Sequence, residues 1–215
     1  MNILLVAATY FEAEQIISEF SFIEKAPDFY QSSEAEVDIL ITGVGIPAMM
    51  FSLFTQVNCR YYDLIINFGI AGAYNKNLLI GDVVNVTIDR FADLLIHDRN
   101  NISMEAFNSS FNQKYSNIVT GGKIENTSDY PPFFHSIKKT RAVTVNYPGK
   151  YTFNSAEIES MEGAAFMMIC KHFKKCFIQI RGISNFTGDN INNWDFKTPI
   201  QNYSDILIKF LKTKL

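Results

Sequence analysis

Ile158-Glu159-Ser160-Met161-Glu162-Gly163-Ala164-Ala165-Phe166 is followed, one apolar segment later, by Ile180-Arg181-Gly182-Ile183-Ser184-Asn185. The first stretch places a carboxylate at the mouth of a helix built of small residues. The second reads as a buried strand that closes on Ser-Asn. Together they suit the holding of a polar ligand above a sheet, and the rest of the chain is read outward from them.

Toward the N-terminus, Asn2 to Ala8 is a continuous apolar run rich in branched residues, as expected of a strand buried on both faces. Phe11 to Phe20 then carries apolar residues at helical spacing. Glu12 and Glu14 fall at the helix start, where carboxylates favour the positive end of the helix dipole. Val37 to Thr42 reads as a second strand, closed by Gly43-Val44-Gly45, and Pro47 fits the first turn of a helix running to about Val57. Leu64 to Phe68 is a third all-apolar strand, ending in Gly69-Ile70-Ala71-Gly72-Ala73. Those small residues either make a tight turn or let a flat ligand approach the backbone.

Gly81-Asp82 opens a strand over Val83 to Ile88, and Arg141 to Asn146 reads as another. Between them, Arg99 to Tyr130 is polar and rich in Asn and Ser, as expected of loops and short elements over the sheet. A helix beginning at Met161-Glu162 carries Ala165, Met168, Ile169 and Phe173 on its apolar face, and Phe177 to Ile183 is the next strand. The last helix is expected to be capped by Thr198 with Pro199 in its first position, its stripe being Ile200, Tyr203, Ile206, Leu207 and Phe210.

Strands alternating with helices predict an α/β fold: three layers, with a central twisted, mostly parallel (mixed) sheet flanked by helices, in a single domain over 1–215. Ligands of such sheets bind beyond the carboxyl ends of the strands. Glu12, Gly69 to Gly72 and Ser184-Asn185 are each expected just past a strand end, so three distant segments should meet at one edge.

Composition narrows the function classes. With 215 residues, 47% of them apolar, the chain can bury a full core. A net charge of −3 and the absence of a basic run argue against a nucleic-acid partner. No apolar stretch reaches membrane-spanning length, and Ile3 to Ala8 is too short for a signal sequence, so a soluble cytoplasmic protein is expected. Cys59, Cys170 and Cys176 form no Cys-x-x-Cys pair, and His97, His135 and His172 lie in no zinc spacing, so neither metal nor cofactor is expected. Gly43-Val44-Gly45 lacks the following Lys-Ser or Lys-Thr of a phosphate loop.

In order along the chain stand Ala-Thr-x-x-Glu (Ala8 to Glu12), Gly-x-Ala-Gly (Gly69 to Gly72), Gly-Asp-Val-Val (Gly81 to Val84), Ser-Met-Glu-Gly-Ala-Ala (Ser160 to Ala165) and Arg-x-Ile-Ser-Asn (Arg181 to Asn185). This set resembles the nucleoside phosphorylase and nucleosidase superfamily. Within it, Phe-Ala-Asp-Leu (Phe91 to Leu94), Met-Glu-Gly-Ala-Ala and the Ser-Asn ending look most like the futalosine hydrolases of menaquinone biosynthesis.

That resemblance implies hydrolysis of the N-glycosidic bond of a purine nucleoside, without a cofactor, in a homodimer or larger homo-oligomer. It makes Glu12 the base that activates water and Asn185 the group that assists the leaving purine. Met161 and Glu162 are implied as ribose contacts and Ala71 and Gly72 as backbone near the base, with Ser184 and Phe153 also counted as substrate-binding. Adenine-releasing relatives carry Asp where Asn185 stands. An amide can donate to a 6-oxo group and N7 without charge, which favours hypoxanthine as leaving base. For the aromatic carboxylate of futalosine, Tyr10, Phe91, Phe153, Arg90 and the Arg99 to Tyr130 region stand open. The alternatives are a methylthioadenosine/S-adenosylhomocysteine nucleosidase, a purine nucleoside phosphorylase, and a non-catalytic nucleoside-binding protein. Phosphorylases place Gly and Arg in the first strand-helix turn, whereas Thr9-Tyr10-Phe11-Glu12 puts an acid there that would repel phosphate.

Overall fold

The computed structural model describes residues 1–33, 35–93 and 113–214. In chain order its elements are β1 (Ile3–Ala7), α1 (Tyr10–Glu19), β2 (Ile23–Ala26), β3 (Phe29–Gln31), β4 (Val37–Ile41), α2 (Ile46–Cys59) and β5 (Leu64–Ala73). They continue with β6 (Val83–Asp89), β7 (Ile124–Glu125), β8 (Lys138–Thr144), β9 (Ile158–Ser160), α3 (Gly163–His172), β10 (Cys176–Phe186) and α4 (Lys197–Lys212).

The apolar run of β1 is buried throughout because β1 lies between β4 and β5, parallel to both, with helices on each face. Successive side chains of a strand point to opposite faces. Leu4 and Val6 therefore join one core with Met49 and Leu53 of α2 and Ala165, Phe166 and Ile169 of α3. Ile3, Leu5 and Ala7 join the other, with Ala13 and Ile16 of α1 and Tyr203, Leu207 and Phe210 of α4. These are the three expected layers, and the sheet is mixed.

The sheet also closes on itself. β10 pairs with β5 in parallel and with β6 antiparallel, β6 pairs with β8, β8 with β9, and β9 returns to β5. β5 can serve both parts because its first half borders β1 and its last residues border β9. The β2–β3 hairpin, paired through β3 to β4, extends the opposite edge and was not anticipated from the sequence.

This closure corrects several sequence expectations. Gly69 to Ala73 is strand, not turn, because β9 and β10 supply hydrogen-bonding partners on either side. Ser184 and Asn185 lie within β10 rather than past its end, at a register shift between Ile183 and Asn185. Ile158–Ser160 is a strand, and the following helix starts at Gly163. At α4, Asp195 Oδ1 accepts from the Thr198 amide at 2.9 Å, so the cap lies upstream of Thr198. Leu94 and residues 99–112 of the polar region lie outside the described residues. Among the described residues no helix is long and apolar enough to cross a membrane, and no cluster of three His, Cys, Asp or Glu is placed to hold a metal.

Candidate active site

Glu12 is set by both local and distant partners. Thr9 and Glu12 form a reciprocal capping box at the start of α1, with Glu12 Oε2 accepting from the Thr9 amide at 3.0 Å and its hydroxyl at 2.9 Å. Glu12 Oε1 reaches across to β5 and accepts from the Ile70 amide at 3.1 Å. From α4, the Tyr203 hydroxyl donates to the Glu12 carbonyl at 2.9 Å. The helix-start role and a place in the site thus coexist in one carboxylate. Gly69 makes the approach feasible, since a methyl group there would lie 2.6 Å from Glu12 Oε1 and 3.6 Å from Arg181 Nη1.

Glu162 occupies the N-cap of α3, yet its side chain caps nothing in that helix; its Oε1 accepts from the Gly45 amide at 2.8 Å. The helix is satisfied from below instead. The Ala164 amide donates to Thr144 Oγ1 at 2.6 Å, and that hydroxyl donates at 3.0 Å to Asp89, which also accepts from Gln179 at 3.1 Å. The Glu162 carboxylate is thereby released toward the cavity. Burial raises its pKa, opposed by the charge of Arg181 and the Gly45 amide.

Asn185 is 2% exposed. Its Oδ1 accepts from Ser184 Oγ at 2.8 Å, and its Nδ2 donates to the Phe186 carbonyl at 3.0 Å, leaving one N–H of the amide for a ligand. The Ser184 hydroxyl also approaches the Ala71 carbonyl at 3.3 Å. Gly72 is the in-register neighbour of Asn185, and a methyl group there would lie 3.1 Å from Asn185 Nδ2.

These groups surround one cavity of about 300 Å³. Glu12, Ala71, Gly72, Met161, Glu162, Ser184 and Asn185 all line it. Phe153 does not. Its ring packs against Tyr74 with centroids 6.3 Å apart and beneath Arg90 at 6.0 Å, in a satellite core with Ala92, Val143, Val145 and Ala156. That local cluster claims the side chain after the Pro148-Gly149 turn, while Val145 and Pro148 take the cavity wall.

Sequence reading missed Glu159, on β9 and lining the cavity, and Arg181, which is 1% exposed and donates to Asn67 Oδ1 at 2.6 Å. A charged residue inside an otherwise apolar strand was the available signal for Arg181. The mouth is apolar, with Phe11 57% and Val44 55% exposed, and with Trp194, Phe196 and Ile200 beside them. No Lys or Arg is found among the described lining residues.

The profile of the Phosphorylase superfamily matches residues 2–116, more than half of the chain. The chain belongs to that superfamily. Similar members include the 5'-methylthioadenosine/S-adenosylhomocysteine nucleosidase of Aeromonas salmonicida, 24% identical over 211 residues that cover 86% of this chain and 85% of the relative. In three dimensions the fold matches the futalosine hydrolase of Helicobacter pylori with a TM-score of 0.78 at 15% identity, over 99% of this chain and 98% of that one. It also matches the methylthioadenosine/S-adenosylhomocysteine nucleosidase of Colwellia psychrerythraea in complex with adenine, with a TM-score of 0.76 at 18% identity, over 100% and 96% of the two chains. At such identities the structural likeness speaks for the superfamily fold.

Proposed function

We propose that this chain is a purine nucleosidase whose substrate is a 6-oxopurine nucleoside, futalosine, cleaved to hypoxanthine and the dehypoxanthine sugar. The observation that carries the choice of base is Asn185, a buried amide with one N–H to spare, where an acid would be suited to a 6-amino purine. Glu162 accepts from the two ribose hydroxyls and fixes the sugar, with Met161 beside it. Glu12 takes a proton from water as the water's oxygen bonds to the anomeric carbon. The bond from that carbon to the base breaks, and the base leaves with the electron pair, taking a proton from solvent while Glu12 returns its own to water. Asn185 donates to the edge on which negative charge develops, while carboxylates around the sugar stabilise the oxocarbenium-like state.

Hydrolysis rather than phosphorolysis is supported by the lining itself, which carries Glu12, Glu159 and Glu162 and, among the described residues, no cation. A methylthioadenosine/S-adenosylhomocysteine nucleosidase is the second reading. It is favoured by the apolar mouth of Phe11, Val44, Trp194 and Phe196, which suits an uncharged 5' substituent better than a carboxylate. A homodimer or larger homo-oligomer belongs to the same proposal, with the exposed Phe51 and Phe54 of α2 as a suitable apolar face.

The test is base release from futalosine, inosine and methylthioadenosine, each with and without phosphate. Free hypoxanthine and free sugar from futalosine in phosphate-free buffer are expected. A sugar 1-phosphate formed only with phosphate would overturn the hydrolytic reading, and a preference for methylthioadenosine would overturn the substrate.

A further inference from the structure

We propose that Glu159 is a second base-reading residue, accepting a hydrogen bond from the ring N–H beside the 6-oxo group of the purine while Asn185 donates at the adjoining N7–O6 edge. The inference rests on the purine-nucleosidase reading above and sharpens it.

Asn185 on β10 and Glu159 on β9 are both direct partners of Gly72 on β5, one on each side. In-register residues of neighbouring strands project to the same face. One residue along, Ala73 and Ile158 are likewise paired, and both turn the other way into the core with α2 and α3. Asn185, the bare α-carbon of Gly72 and Glu159 therefore form one row facing the cavity, which all three line. Two strand spacings of about 4.8 Å each separate the outer pair, roughly 10 Å between backbones. Only glycine in the middle leaves that gap open for the edge of a planar ring.

The chemistry of the pair fits one kind of base. Asn185 brings a spare donor, and Glu159 brings a carboxylate, which only accepts. Its Oε1 takes the Gly149 amide at 2.6 Å and its Oε2 the Tyr74 hydroxyl at 2.7 Å, which fixes the group in place and leaves further lone pairs unused. Glu159 is 4% exposed, so a further donor compensates a charge that water does not reach. A 6-oxopurine presents acceptors at its N7–O6 edge and a donor at N1–H. A 6-aminopurine keeps the N7 acceptor but presents a donor at position 6 and an acceptor at N1, which sets the N1 lone pair against the carboxylate of Glu159. Val145 and Pro148 supply apolar wall beside them.

Calorimetric binding of the free bases hypoxanthine and adenine to the parent protein, Glu159→Gln and Tyr74→Phe tests the assignment, with futalosine and inosine turnover measured alongside. The parent should prefer hypoxanthine. Glu159→Gln, which keeps the volume and exchanges an acceptor oxygen for a donor, should lose at least tenfold in hypoxanthine affinity while holding or gaining affinity for adenine. Tyr74→Phe removes one tether but leaves the acceptor, and should change both bases alike. A Glu159→Gln variant that keeps the parent's hypoxanthine-to-adenine ratio would overturn the inference, even if both affinities fell, because that is the signature of a purely structural carboxylate. Failure of the parent to bind either base or to cleave any purine nucleoside would instead overturn the purine-site reading itself.

Discussion

Replacing Gly69 by alanine would place a methyl group 2.6 Å from Glu12 Oε1 and 3.3 Å from Glu12 Cδ. Non-bonded heavy atoms settle at about 3.5–4.0 Å, so the carboxylate must retreat by roughly 1 Å, or β5 must move. Retreat breaks the 3.1 Å bond from the Ile70 amide, and the side chain is then held only by its capping box with Thr9. Overpacking of this kind costs about 1–3 kcal/mol, which for a chain of this size lowers the thermal midpoint on the order of 2–12 °C. If Glu12 directs the water, as proposed, a displacement near 1 Å lowers turnover on the order of a hundredfold. The assay is phosphate-free base release, with the thermal midpoint and the affinity for free base measured on the same preparation. Gly69→Ala should lose kcat and keep base affinity, because Asn185 and Gly72 are untouched. A folded variant whose turnover stays within about threefold of the parent would refute the assignment of Glu12 as the water-directing base, since the added methyl leaves its carboxylate no room to remain in place.

Other outcomes follow from the same geometry. Glu162→Gln should weaken ribose-bearing ligands and reduce the preference for inosine over 2'-deoxyinosine by about tenfold; an unchanged preference would mean that the carboxylate does not hold the sugar. Asn185→Asp should reduce hypoxanthine release and admit some cleavage of a 6-amino analogue, so an identical substrate ranking in the two proteins would remove Asn185 from base selection. Asp89 is fully buried, and desolvation raises its carboxyl from 3.8 to about 6 against the hydrogen bonds of Gln179, Thr144 and the Arg90 amide. The native state then holds this proton more tightly than the unfolded chain does, so its contribution to stability is complete below about pH 4 and is lost as pH rises through about 6. In Asp89→Asn the unpartnered Gln179 Oε1 can turn to accept from the new amide. Thermal midpoints should therefore favour Asp89→Asn increasingly between about pH 4 and 6 and level off above, whereas parallel curves would show that Asp89 does not titrate there.

The sequence by itself determined what depends on local pattern. The apolar run of β1 reads as a strand covered on both faces, since branched residues in succession leave no solvent side, and the apolar segments of β4, β5 and β10 read as strands. Glu12 and Glu162 were legible as acids at helix starts, and the order of the motifs placed the chain in its superfamily. Only the tertiary structure decided how far β5 and β10 run, because a glycine-rich segment becomes strand or turn according to whether distant chain supplies partners for its amides. Here β10 supplies them along Gly69 to Ala73 and β9 at Gly72 and Ala73, from residues more than 80 positions away. The same closure puts Glu159 in register with Gly72, turns Phe153 into a satellite core, and brings the Ile70 amide, 58 residues distant, onto Glu12. Periodicity reports which side of an element meets water. Which strands lie side by side, and so which side chains share a face of the cavity, is set by pairing between segments far apart in the chain.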